Sequence, residues 1–152
     1  MTIFVKNKHT LQIDDFKFKC CIGKKGTTNN KKEGDKKTPK GIFKIGDLYF
    51  RKDRIKKPLT LLKCIEIKKN MGWCNDIHYP RKYNKLIKIE KKIRHEKLKR
   101  NDKKYDLLIP IKYNFKKNIT GLGSCIFIHL TKNYKPTAGC IVLKKKRFLD
   151  YA

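Results

Sequence analysis

The apolar residues of this chain arrive in short, separated runs, and that pattern constrains its fold more than any other feature. The runs are Ile3-Phe4-Val5, Phe16 to Ile22, Gly41 to Phe50, Leu107 to Tyr113, Cys125 to Leu130 and Cys140 to Leu143. Several alternate with polar residues and are rich in Ile, Phe and Tyr, as strands are. Residues 24–40 carry Gly, Asn, Asp and Pro throughout and predict a long exposed loop, of a kind that often serves function. Leu86, Ile89, Ile93 and Leu98 lie near helical spacing with charges elsewhere, so residues 85–100 are expected to form an amphipathic helix. The expected fold class is mainly β, a packed pair of sheets with one or two flanking helices. No apolar run approaches the roughly 20 residues that cross a bilayer, so no membrane span is expected.

At 152 residues the chain has the size of one domain, expected over 1–152, because two halves would each have a marginal core. The formal charge of +28 invites a nucleic-acid reading. Three features weaken it. Lys far outnumbers Arg, whose planar fork suits phosphate and base readout. Ala stands only at Ala138 and Ala152 beside abundant Ile, Asn and Lys, the mark of AT-rich codon usage. The lysines are also spread along the whole chain rather than gathered in one segment. General attraction to polyanions follows, with anionic cell-wall polymers as good a partner as nucleic acid. No specific nucleic-acid partner is expected.

Six cysteines stand at 20, 21, 64, 74, 125 and 140. No pair has C-x-x-C spacing and no His follows at finger spacing, so no metal site is expected. The bland reading for five of them is a reduced, mostly buried thiol. Cys140 differs because of its setting in Ser124 to Leu143, SCIFIHLTKNYKPTAGCIVL. In a strand, Cys125, Phe127 and His129 share one face, while Ser124, Ile126, Ile128 and Leu130 share the other and point inward. A loop from Thr131 to Pro136 then delivers Thr137-Ala138-Gly139-Cys140 to another apolar strand. Gly139 permits a tight turn and leaves N–H groups unobstructed near the sulfur. A base beside a thiol and clustered N–H groups suffice for thiol nucleophilic catalysis. Packing alone also produces a strand His and a strand Cys, and the residues by themselves leave both readings open.

The stretch IFIHL…PTAGCIVL resembles the active-site signature of the YkuD-type L,D-transpeptidases, where a strand-borne His precedes [S/T]-x-G-C. Glu33-Gly34-Asp35 through Thr38-Pro39-Lys40-Gly41-Ile42-Phe43 is similar to the family's E-G-D-x-x-T-P-x-G-x-F block. Trp73-Cys74-Asn75-Asp76 with Tyr83-Asn84 resembles a W-x-x-D…Y-N block, and Tyr105-Asp106 through Tyr113-Asn114 resembles the strand before the catalytic one. The four blocks stand in the family's order and cover most of the chain, which is similar to the compact branch.

The resemblance implies a β-sandwich catalytic domain and a cysteine acyltransferase acting on peptidoglycan stem peptides without a cofactor. It implies Cys140 as nucleophile, His129 as general base and then acid, and the N–H groups of Ala138, Gly139 and Cys140 as the oxyanion hole. It also implies a loop-orienting Thr137 and substrate contacts from Thr137, Trp73, Asp76, Tyr83, Asn84, Tyr113 and Asn114. Asp76 is the carboxylate expected to meet an acceptor's amino group. Three departures bear on donor specificity: Ala138 stands where His is frequent, Val142 where Arg or Asn is, and the His129–Cys140 gap is short. The rivals are a hydrolase with the same pair, an L,D-carboxypeptidase or cell-wall amidase, and a non-catalytic basic module that binds anionic polymers. A monomer is expected. The reaction implies the periplasm or cell-wall side, yet MTIFVKNKHT lacks a signal-peptide pattern, which leaves the cytoplasm open.

Overall fold

In a computed structural model, residues 2–146 are described. The chain opens with an antiparallel meander of β1 (Ile3–Val5), β2 (Thr10–Ile13) and β3 (Phe16–Lys19). Within the segment expected to be a plain loop, β4 (Thr27–Thr28) and β5 (Thr38–Pro39) pair in parallel. Next come β6 (Leu48–Phe50), β7 (Cys64–Glu66), β8 (Met71–Cys74), β9 (Leu86–Lys88) and β10 (His95–Lys97). The chain then enters β11 (Leu107–Pro110), β12 (Phe127–Leu130) and β13 (Ile141–Leu143).

The frame is the five-stranded sheet β13-β12-β11-β6-β7, in which β12–β13 and β6–β7 run parallel and the other neighbours antiparallel. Alternation along each strand sorts side chains by face. Leu48, Phe50, Leu107, Ile109, Ile128, Leu130, Ile141 and Leu143 pack against Leu11, Ile13, Phe18 and Ile22 of the meander side. Tyr49, Leu108, Phe127 and Cys140 face the other way, against Trp73, Leu98 and Tyr105. Both faces are therefore inward, whereas the sequence suggested one. Alternation also starts later than expected: Cys125 has φ +54° and lies outside β12.

The helix over 85–100 does not form. The segment supplies β9 and β10, one on each side of β8. Gly72, Trp73 and Cys74 are buried, and two flanking strands satisfy their backbone groups as a helix could not. Only Ile93 and Leu98 of the four apolar positions are buried, while Leu86 is exposed. A single apolar helical face is thus not what the chain uses. Among the described residues the helical ones are Lys145 and Lys146. The ends of the expected 1–152 domain, residues 1 and 147–152, lie outside the described residues.

Candidate active site

His129 and Cys140 come together because β12 and β13 are parallel neighbours. Ile128 pairs with Ile141 and His129 with Val142, which sets Cys140 opposite Phe127 on the face that His129 also occupies. The Cys140 Sγ accepts the Phe127 N–H at 3.4 Å and donates to the Cys125 carbonyl at 3.2 Å. Burial pushes this thiol up to about 12; the Phe127 N–H opposes that push, Glu96 adds to it and Lys31 counters it. The resting sulfur is a neutral thiol.

His129 is 7% exposed. Burial, helped by the positive charges of Lys104 and Arg100, pulls its pKa down to about 4, so the ring is neutral at physiological pH. Its Nδ1 lies 3.0 Å from the Leu130 carbonyl oxygen. A carbonyl only accepts, so Nδ1 carries the proton and Nε2 keeps its lone pair. The Tyr105 ring stands edge-on to the imidazole, centroids 5.1 Å apart. Among the described residues no hydrogen bond joins His129 to the sulfur.

The turn before Cys140 is braced from two sides. Thr137 Oγ1 donates to the Cys140 carbonyl at 2.6 Å and accepts the Gly139 N–H at 3.1 Å. Thr38 Oγ1 donates to the Gly139 carbonyl at 2.8 Å and accepts the Gly23 N–H at 2.9 Å. Gly139 has φ +147°, and a Cβ there would sit 2.9 Å from the Lys37 carbonyl oxygen, so glycine is required. The 24–40 segment is thus a wall of the site. Of the three N–H groups expected to form an oxyanion hole, Gly139 has an internal acceptor. Those of Ala138 and Cys140 have none among the described residues.

A sulfur and two unengaged amides on one turn of chain share a face with a neutral imidazole, its lone pair free, on the neighbouring strand. The YkuD model, the L,D-transpeptidase catalytic domain, matches residues 1–152. The chain belongs to the YkuD family. Searches against curated proteins and solved structures return no match. Members of the family are cysteine-dependent L,D-transpeptidases and act on peptidoglycan. In this YkuD domain no helix of the described residues is long and apolar enough to cross a membrane.

The residues expected as substrate contacts each have hydrogen-bond partners within the protein. Trp73 and Tyr83 are 4% and 0% exposed. Trp73 stacks edge-on against Phe127 and donates to Asn84 Oδ1 at 3.0 Å. Asn84 Oδ1 also accepts the Cys125 N–H at 3.2 Å, while its Nδ2 donates to the carbonyls of Tyr113 and Asn114, both at 3.0 Å. The Tyr83 hydroxyl is bound by Glu33, which also accepts from Ser124. Tyr113 closes on the Leu122 carbonyl, and Asn114 ties Ile119 and Gly123. Asp76 accepts the N–H groups of Arg94 and His78, which hold its carboxyl below the usual range. All six side chains are engaged with protein, and Thr137 is a loop brace.

Sequence reading passed over Glu96 and Arg100 and placed Tyr105 only as the start of a motif. Tyr105 donates to Glu96 Oε1 at 3.2 Å, and Arg100 pairs with the same oxygen at 2.7 Å while lying over the Tyr105 ring. Both charged residues fall in the segment expected to form a helix, where they stand only among the charges away from its apolar positions. His95 is half-buried on Gly72, with Nδ1 2.6 Å from the Ile93 carbonyl oxygen.

Proposed function

We propose that this chain is a peptidoglycan L,D-transpeptidase that cleaves an L-to-D peptide bond through a thioester on Cys140. The observation that carries the proposal is the shared face of Cys140 and His129 on paired parallel strands, with Nε2 unprotonated. With the donor carbonyl at the sulfur, His129 Nε2 takes the thiol proton and the sulfur attacks the carbonyl carbon. The N–H groups of Ala138 and Cys140 receive the oxyanion. The imidazolium returns its proton to the departing amine of the terminal D-residue, the C–N bond breaks, and the thioester remains. An acceptor amine then attacks, gives its proton to His129, and the sulfur leaves and is reprotonated. Because the thiol and imidazole both rest neutral, proton transfer accompanies attack rather than preceding it.

The whole chain acts in this reading as one catalytic domain, monomeric and on the cell-wall side, where its substrate is. Its +28 charge draws it to anionic polymers. A docking point for them is a cleft of about 640 Å³ where Lys17, Lys19, Lys132, Lys144 and Lys146 surround Tyr134. Intact mass after exposure to an acylating β-lactam tests the reading. Wild type should gain one adduct and Cys140→Ala none, although five other thiols remain. Cys140→Ser should lose turnover on a peptide donor by several orders of magnitude. Equal labelling of Cys140→Ala would remove the thioester mechanism.

A further inference from the structure

Resting on that reading, we propose that Glu96 is the subsite for the acceptor's ammonium group, placed beside the thioester by its contact with Tyr105. The carboxylates around the site differ in what they have left to offer. Asp76 is engaged by two backbone N–H groups, and Glu33 holds Tyr83 and Ser124. Asp35 is bound by Lys31, Lys32 and Lys37, and Asp106 by Arg54. Glu96 takes both its donors, Arg100 and Tyr105, on Oε1. Its Oε2 has no partner among the described residues and the side chain is 30% exposed. A carboxylate accepts up to about four hydrogen bonds, so room for a cationic donor remains.

Position and charge agree. Tyr105 touches His129 on one side and Glu96 on the other, and both Tyr105 and Cys140 belong to the same packed cluster. In a chain of net charge +28 an ammonium is repelled from most of the surface, so a carboxylate with a free oxygen at this point is a selective attraction. Arg100 does not neutralise it fully, because its guanidinium also forks onto Asp102. The ammonium first releases one proton to solvent, and the neutral amine then attacks the thioester carbon as it gives a second proton to His129 Nε2. The C–N bond forms, the C–S bond breaks, and the proton passes to the sulfur.

The experiment separates acylation from its resolution. Wild type and Glu96→Gln are acylated with a thioester-forming donor, then resolved by glycinamide, a cationic amine, or by hydroxylamine, which is uncharged at neutral pH. Glu96→Gln should still form the acyl adduct, while its KM for glycinamide rises about tenfold to a hundredfold, the usual loss of a charge-assisted hydrogen bond. Resolution by hydroxylamine should be unchanged, and the product should shift from transfer to hydrolysis. An equal loss with both nucleophiles, or no loss with glycinamide, would overturn the subsite. Wild type that forms no acyl adduct would instead overturn the transpeptidase reading itself.

Discussion

The two faces of the central sheet are both buried but are built from different materials. The face toward the meander is apolar, mainly Leu, Ile and Phe, and is held by burial alone. The face toward β8 and β10 is aromatic and threaded with polar groups, Asn84, Ser124, His129 and Cys140, each hydrogen bonded. The first face can lose a methyl group and only soften. On the second, a lost side chain leaves buried donors and acceptors unpaired, and these are the groups that aim the sulfur. Asn84 accepts the Cys125 N–H, and the Cys125 carbonyl accepts the thiol. On the proposed mechanism, stability and chemistry are separable on one face and joined on the other.

A matched pair of substitutions puts this difference at risk. Leu107→Ala, at a fully buried position of the apolar face, should cost about 2–5 kcal/mol in urea unfolding. The acylation rate per folded molecule should stay at the wild-type value. Asn84→Gly keeps the left-handed backbone (φ +55°) and strips the amide from four partners. Its stability loss should be about as large, and acylation of the folded protein should slow as well. An Asn84→Gly protein that is acylated like wild type would show the second face to be mere packing.

A smaller effect tests the buried imidazole. His129 has a folded pKa of about 4 against an ordinary 6.5. A depressed value means stability fully present above about pH 6.5 and lost as pH falls through 4. About 2.5 pH units correspond to roughly 3 kcal/mol. The difference in unfolding free energy between wild type and His129→Gln should therefore shrink by about that amount from pH 7 to pH 4. A constant difference would place His129 in water rather than on the packed face. Leu107→Ala, by contrast, should leave the pH profile of unfolding parallel to that of wild type.

The apolar face was the legible one. Period-two runs of Ile, Leu and Phe announce strands locally, and the His129 and Cys140 strands stood out by the same alternation. Gly139 was legible as a backbone requirement. The second face depends on contacts distant in sequence, which no window shows. Asn84 meets residues 113, 114 and 125, and Thr38 meets 139. Residues such as Trp73 and Tyr83 therefore read as substrate contacts when their partners are internal. The 85–100 segment misled for a related reason. Its apolar spacing suited a helix, but the demand for two strands came from β8, which is buried and needs partners on both edges.

The smallest expected effect concerns where the charge acts. The lysine cleft is formed by β3 and the chain following β12 and β13, with Lys19 and Lys144 at 5.0 and 5.6 Å from the Tyr134 ring centroid. None of its five lysines has an ion pair among the described residues. Exposed charges of this kind are screened beyond roughly 8 Å at physiological ionic strength. Raising salt should weaken binding to an anionic polymer such as polyglutamate, and Lys19→Gln with Lys144→Gln should flatten that salt dependence. The rate on a small, near-neutral peptide donor should hardly move, because in the proposed mechanism the sulfur and the imidazole work on the other, buried face. A basic module without catalysis would bind the polymer and turn over nothing at any salt. If salt lowered turnover on the small donor as much as polymer binding, the surface charge would be shaping the active site, and the two faces would not be independent.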